Sequence, residues 1–493
     1  MDWQKRKSRG RGLRATTGCL ICRRRHVKCD EARPQCGPCA KGQRACVYAL
    51  RRSLRDVAGP GTPDSLPSDQ LGPKSQIKAS TESPVTSRAA PLRWFQPSAT
   101  DATTGEEVRN GNVLQRDSEI ESPPLSDVEH HLFRHFVRVS SKLLDFHDPE
   151  IHFATTVPHM ALRNLGLMKA LLGLSARHLS LGPATTELDG REYIIDRNLA
   201  VQYYLDALDY LNTASYPHSL DLVATAILIS TYEMIDGSNR NWERHLKAVY
   251  WMQQSQANDG ESGGLRSAIW WAWLQQDIWV AMQERRRVLN VWNPTKPVST
   301  LKPPELARRA IYLLSQCVNY ASKEEEQSDL TSRLDKGGEL LFLLQQWHDN
   351  LPPEYRPLTC CSSDDAVFPP IWVNPPSYAA ALQMHSLAMI LVIVHRPSAG
   401  GIENYRAAQQ MLAGALGTIC GIARSVDEDD DAANMISLHC LFRAGICVQT
   451  LRERLVLLDL LDLCQQRLHW PLISLRKELE LEYAKDTFSG PST

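Results

Sequence analysis

Residues 19–46 read Cys19-Leu20-Ile21-Cys22-Arg23-Arg24-Arg25-His26-Val27-Lys28-Cys29-Asp30-Glu31-Ala32-Arg33-Pro34-Gln35-Cys36-Gly37-Pro38-Cys39-Ala40-Lys41-Gly42-Gln43-Arg44-Ala45-Cys46. Six of the 13 cysteines of the chain fall in this stretch, and Cys19, Cys22 and Cys29 repeat as Cys36, Cys39 and Cys46 at a constant offset of 17. The pattern is one loop design used twice. The segment is too poor in apolar residues to build a core, so covalent or metal links must hold it. Three disulfides would need an oxidising compartment. Common iron–sulfur clusters use four cysteines, which this symmetric set of six does not match. Paired C-x-x-C thiolates suit tetrahedral zinc, which the spacing favours over both rivals. Two zinc ions with four ligands each need eight bonds, so two of the six sulfurs must bridge. The pseudo-symmetry makes Cys19 and Cys36 the bridges, since each opens its repeat.

The surrounding charge points to a polyanion. Residues 1–58 carry 16 Lys and Arg against 4 Asp and Glu, a local charge of +12. The other 39 basic and 52 acidic residues leave −13 on the rest of the 493-residue chain. Such asymmetry is that of a nucleic-acid arm on an acidic globule. Between Cys22 and Cys29 stand Arg23, Arg24, Arg25, His26, Val27 and Lys28. A short helix after the C-x-x-C pair can present these side chains to a major groove. Arg and Lys donors suit guanine O6 and N7, so a GC-rich site is expected. The run Lys5 to Arg11 suits nuclear import and unspecific phosphate contact.

With its spacing and its Arg33-Pro34-Gln35-Cys36 turn, this segment resembles the fungal zinc binuclear cluster of transcription regulators. The resemblance implies two zinc ions on Cys19, Cys22, Cys29, Cys36, Cys39 and Cys46. It also implies base contacts from Arg25 and His26, with Arg23 and Lys28 on phosphates; Arg24 completes the basic DNA-binding run. His26 stands where the family usually has Lys. A neutral imidazole offers one donor and one acceptor rather than a cation, which leaves the family's CGG-type triplet open.

The rest of the chain divides by composition. Residues 1–18 form a basic arm and 19–48 the cluster. Residues 49–124, interrupted by Pro60, Pro63, Pro67, Pro73, Pro84, Pro91 and Pro97, read as a disordered linker. No sustained heptads lie between Val47 and Pro124, so a coiled-coil dimer is not expected, and pairing through the large domain stays open. From Ser126 the periodicity turns helical. Ser126-Asp127-Val128-Glu129 reads as a capping box, and Val128, Leu132, Phe136, Val139 and Leu143 follow at helical spacing. Further helical patterns cover Leu165–Leu179, Tyr193–Leu211, Leu220–Ile235, Trp242–Gln256, Leu265–Met282, Pro304–Tyr320, Leu330–Asn350, Ser377–His395, Tyr405–Ala423, Ala432–Leu460 and Pro471–Tyr483. Strand-type alternation is nearly absent. Residues 125–485 therefore read as an all-α domain of ten or more helices.

This order of helices resembles the regulatory domain that accompanies fungal zinc clusters. Arg177-His178-Leu179, Trp242 with His245-Leu246, and Ile269 to Asp277 carry that resemblance. It implies a domain that modulates activity, with a small-molecule effector or the transcription machinery as candidate partners.

Several function classes find no support. There is no Walker loop, G-x-S-x-G, H-E-x-x-H or G-x-G-x-x-G, so no enzyme is expected. Asp427 to Asp431 could hold Mg²⁺ but reads better as a solvated loop. Trp270, Trp271, Trp273 and Trp279 read as core. The cysteines at 317, 360, 361, 420, 440, 447 and 464 lack metal spacing. Met1 to Lys7 shows no secretory signal, and no run reaches the roughly 18 uncharged apolar residues of a membrane span. The apolar run Ala379 to Val394 reads as a core helix. The sequence thus predicts a nuclear, zinc-dependent regulator of RNA polymerase II genes that binds double-stranded DNA. Its rivals are a zinc-held interaction module and an all-α enzyme with a basic arm.

Overall fold

The computed structural model describes residue 30 and residues 36–41, 125–182, 185–188, 191–213, 219–237, 242–290, 292–358, 366–398, 400–470 and 475–488. The chain divides into two units, residues 1–88 and 89–493. In the first, one helical turn, α1 (Gly37–Ala40), is described.

The second unit is helical. It opens with α2 (Asp127–His135), whose N-cap Ser126 accepts from the Glu129 N–H while Glu129 accepts from Ser126, the expected capping box. The run continues through a π stretch (Phe136–Ser140) into α3 (Lys142–Asp145). Then come α4 (His152–Ala161), α5 (Leu165–Leu179), a hairpin of β1 (Thr185–Leu188) and β2 (Arg191–Ile194), α6 (Arg197–Thr213), α7 (Leu220–Asp236), α8 (Trp242–Ser255) and α9 (Gly264–Glu284). The remainder is α10 (Pro303–Tyr320), α11 (Lys323–Glu326), α12 (Leu330–Asp349), α13 (Pro376–His395), α14 (Ile402–Ala423), α15 (Asp431–Gly445), α16 (Leu451–Leu468) and α17 (Leu475–Phe488).

One hydrophobic core runs through the unit. Helix α5 packs on α6 and α7, and α7 on α8; α13 packs on α10, α14 and α15. Between these groups α9 touches α4, α7, α8 and α10. It is buried from Ser267 to Met282 apart from half-buried Ala272, as a helix apolar on all sides must be. Trp270, Trp271, Trp273 and Trp279 are all buried, in agreement with their reading as core.

Helix α13 is 20 residues long with a mean hydropathy of 1.7, enough to cross a membrane by length and composition. Its polar side chains are nevertheless tied to neighbours. Gln383 donates to the Ile419 carbonyl and accepts from Ser437, both at 3.0 Å. His385 bonds the Leu344 carbonyl at 3.0 Å and stacks on Trp347. It is a core helix, as its sequence indicated.

Three expected helices need correction. Tyr193 belongs to β2, where it pairs with Thr186, and not to a helix. Helix α6 starts later because the Asp196 carboxylate accepts from the Leu199 N–H and fixes a cap there. The stretch Ala432–Leu460 is two helices, because Thr450 caps α16 by accepting from the Glu453 N–H. The last helix is described over Leu475–Phe488, five residues past the expected end at Tyr483, while residues 471–474 of the expected start lie outside the described residues. Helix α4 was not foreseen: Pro158 lies inside it, and its N-terminal cap comes from a distance. The Asp145 carboxylate accepts from Phe153 and Ala154 N–H at 2.8 and 2.7 Å.

Candidate functional site

Of the six cluster cysteines, Cys36 and Cys39 lie among the described residues. Cys19, Cys22, Cys29 and Cys46 lie outside them, as do Arg23, Arg24, Arg25, His26 and Lys28. Cys36 is the extended N-cap of α1 (φ −72°, ψ 150°), and Cys39 follows one turn later. A spacing of i, i+3 puts both residues on one side of that turn. Cys36 is fully buried.

The start of the turn is fixed from the first repeat. The Gly37 N–H donates to both Asp30 carboxylate oxygens, at 2.9 and 3.2 Å. A Cβ on residue 37 would sit 2.6 Å from Asp30 Oδ2, so a larger residue there would push the carboxylate off the Gly37 N–H. Asp30 directly follows Cys29, so the end of one repeat clamps the beginning of the next. A buried thiol that opens a C-x-x-C turn is compatible with metal ligation.

In the helical unit, the three stretches that resemble a regulatory domain are structural ties. Arg177 on α5 donates to Asp236 at the end of α7 at 2.6 Å, with both side chains buried. Arg197 on α6 joins the same carboxylate at 2.7 Å. Glu233 accepts from Tyr204 and meets His245 Nδ1 at 2.8 Å. Burial and the neighbouring Glu233 carboxylate push the Tyr204 phenol well above its usual range. Trp273 on α9 donates to the Leu246 carbonyl at 2.9 Å. Asp277 binds Arg286 at 2.6 Å and the Leu289 N–H at 2.8 Å.

The acidic loop is only partly free. Asp427, Glu428 and Asp429 are exposed, but Asp430 caps α15 and Asp431 bonds His178 Nε2 at 2.7 Å. His178 in turn meets His135 at 3.0 Å. Burial, with His178 beside it, lowers the His135 pKa to about 4. The His178–Asp431 pairing joins positions 253 residues apart, which no local pattern could reveal. Among the described residues no group of three or more His, Cys, Asp or Glu has the geometry to hold a metal. Burial pushes the thiols of Cys447 and Cys464 up to about 11 and 12, and those of Cys317, Cys420 and Cys440 higher still. Such thiols are unreactive near neutral pH.

Comparison with known proteins gives two family matches. Residues 17–55 match the fungal Zn(2)-Cys(6) binuclear cluster domain, and residues 131–269 the fungal specific transcription factor domain. The C6 finger domain transcription factor hasF of Aspergillus fumigatus is 60% identical over 35 residues, 7% of this chain and 5% of that protein. Transcription factor lfc1 of Flammulina velutipes is 36% identical over 92 residues, 18% and 31% of the two chains. Transcriptional regulatory protein moc3 of Schizosaccharomyces pombe is 58% identical over 54 residues, 11% of each. The chain thus spans less than a third of the length of these curated relatives. No solved structure matches. With one match on the six-cysteine segment and the other on the helical unit, the chain carries a fungal Zn(2)-Cys(6) binuclear cluster domain and a fungal specific transcription factor domain.

Proposed function

We propose that this protein is a nuclear, sequence-specific DNA-binding regulator of genes transcribed by RNA polymerase II. The observation that carries the reading is the six-cysteine repeat enclosing Arg23 to Lys28, inside the segment that matches the cluster domain. Cys19, Cys22, Cys29, Cys36, Cys39 and Cys46 hold two zinc ions, with Cys19 and Cys36 bridging. Zinc supplies the folding energy of the segment, on the order of 10–16 kcal/mol per structural site. Arg25 and His26 face base edges in a GC-rich, CGG-like site, while Arg23, Arg24 and Lys28 grip the backbone around it. Residues 1–18 add unspecific phosphate contact, residues 49–124 act as a linker, and residues 125–485 modulate output and pair two copies. The protein performs no catalysis in this reading. Its relatives with printed roles are transcription factors.

The test is a random-oligonucleotide selection with the full-length, zinc-loaded chain at about 150 mM salt, beside a chelator-treated control. Enrichment of one CGG-like triplet, or two at fixed spacing, only with zinc, supports the reading. Uniform, salt-sensitive binding to all sequences would replace it with an interaction module that holds DNA by charge alone.

A further inference from the structure

Beside the buried face of α9 lies a cavity of about 170 Å³. A cavity of about 150 Å³ is large enough to take benzene, so this one accommodates a single-ring molecule. Trp271 and Trp292 form its aromatic wall, their ring planes 87° apart. Both rings are held in place. Trp271 donates to the Gly260 carbonyl at 3.1 Å, and a Cβ on residue 260 would come within 2.9 Å of both rings. The glycine lets the two indoles close over it, and all three residues line the cavity.

Three cations, Lys296, Arg308 and Arg309, meet three carboxylates, Glu261, Glu305 and Asp148, around this space, but not every cation sits in a salt bridge. Lys296 is paired with Glu305 at 2.8 Å. Glu261 is occupied by the Thr295 N–H, its hydroxyl and the Lys296 N–H. Arg308 is matched by Asp148 at 2.8 Å. Arg309 is half-buried and donates one bond, to the Lys296 carbonyl, with no ion pair among the described residues. A guanidinium carries five donors, so most of its fork is unused.

A second, smaller pocket of about 20 Å³ shares Trp271 and Arg308 as walls. It is lined by His147 and Trp279, both more than nine-tenths buried. Neither His147 ring nitrogen nor Trp279 Nε1 has a hydrogen-bond partner among the described residues. Buried polar groups in folded proteins are nearly always paired. The orphaned nitrogens leave unsatisfied polarity in the smaller pocket, next to the Trp271 wall that it shares with the cavity.

We propose that the cavity binds a small aromatic carboxylate, its ring against Trp271 and Trp292 and its carboxylate on Arg309. A carboxylate matches the planar fork by two parallel bonds, and the indole faces select a flat ring. The occupant would bridge α9 and α10, tying binding to the packing of the helical unit. The proposal deepens the reading of that unit as modulatory. The binding itself needs no DNA, so its failure and the failure of DNA recognition are separate results.

Isothermal titration of the full-length chain with benzoate, and with its neutral analogue benzamide, tests the proposal. Benzoate should bind saturably, with a Kd on the order of 0.1–1 mM for so small a probe, and benzamide at least about tenfold more weakly. Arg309→Gln should lose at least about tenfold in benzoate affinity at unchanged circular dichroism, and Arg309→Lys should recover part of it. No saturable heat up to about 10 mM benzoate, equal binding of benzamide, or undiminished binding by Arg309→Gln would each overturn the proposal.

Discussion

At the scale of single residues, the cluster turns on contacts too small to tolerate a methyl group. Gly37→Ala and Asp30→Ala remove the same clamp, one by collision and the other by deletion. Each should raise the zinc dissociation constant roughly tenfold, the usual cost of losing support behind a metal ligand. Competition with a chromophoric chelator measures it; equal affinities would mean the clamp is dispensable. Cys22→Ala should unfold residues 19–46 and abolish specific binding. An unchanged circular dichroism spectrum with unchanged DNA affinity would refute the zinc scaffold. Arg25→Ala should flatten sequence preference, costing about 1–3 kcal/mol on the preferred site and little on others. A uniform loss on every sequence would make Arg25 a phosphate contact. The cluster domain was legible from spacing alone, because metal coordination imposes its demands locally. The Asp30–Gly37 clamp was not, since nothing in the spelling of a glycine announces which carboxylate sits on it.

Among elements, the strongest tie in the helical unit is the carboxylate of Asp236 between α5, α6 and α7. Asp236→Ala leaves Arg177, its side chain 6% exposed, buried beside a missing charge. The expected loss is about 3–5 kcal/mol in denaturant unfolding. Arg197→Ala touches the same carboxylate, but its side chain is 55% exposed, and the cost should stay below about 1 kcal/mol. Equal losses would show that the buried pair adds nothing beyond a surface one. The elements that were legible carry their signals nearby. Ser126 and Glu129 announce α2, and the apolar run of α13 announces a core helix. The elements misjudged take their signals from elsewhere. Helix α4 is capped by Asp145, seven residues upstream of its first residue, and α15 and α16 share one apolar pattern that only a cap divides.

Over the whole molecule, buried ionisable groups set the acid limit. Burial lowers the pKa of His147 to about 3 and of His385 to about 4. Both rings stay neutral in the fold, while in the unfolded chain they take up protons near pH 6.5. The unfolded state therefore binds more protons, and stability is lost as pH falls from about 6.5 to 4. Asp145 works the other way. Burial raises its carboxyl to about 7, so protonation favours the fold as pH falls from there toward the ordinary carboxylate range. His135 and His439, also lowered to about 4, act as His147 and His385 do, so four rings against one carboxyl leave a net loss of about 3 kcal/mol per pH unit. Urea unfolding at pH 6.5 and 5.5 measures it, and a flat or rising stability would contradict the assignment. At this scale the sequence was least informative. The charge split between the chain's two parts was visible, but the cavity beside α9 gathers Gly260, Trp271, Trp292 and Arg309 from separate stretches.

Helix α13 has a consequence for how the chain is made. Its apolar faces are covered in part by α14 and α15, which follow it in sequence. The last residue of α15 is 50 residues beyond the end of α13, about 3–10 s of translation at 5–20 residues per second. During that interval a segment with the length and hydropathy of a membrane span stands outside the ribosome without its cover. A newly made chain therefore gains from a chaperone in that interval, and a ribosome stalled before α14 and α15 emerge would leave this apolar segment uncovered.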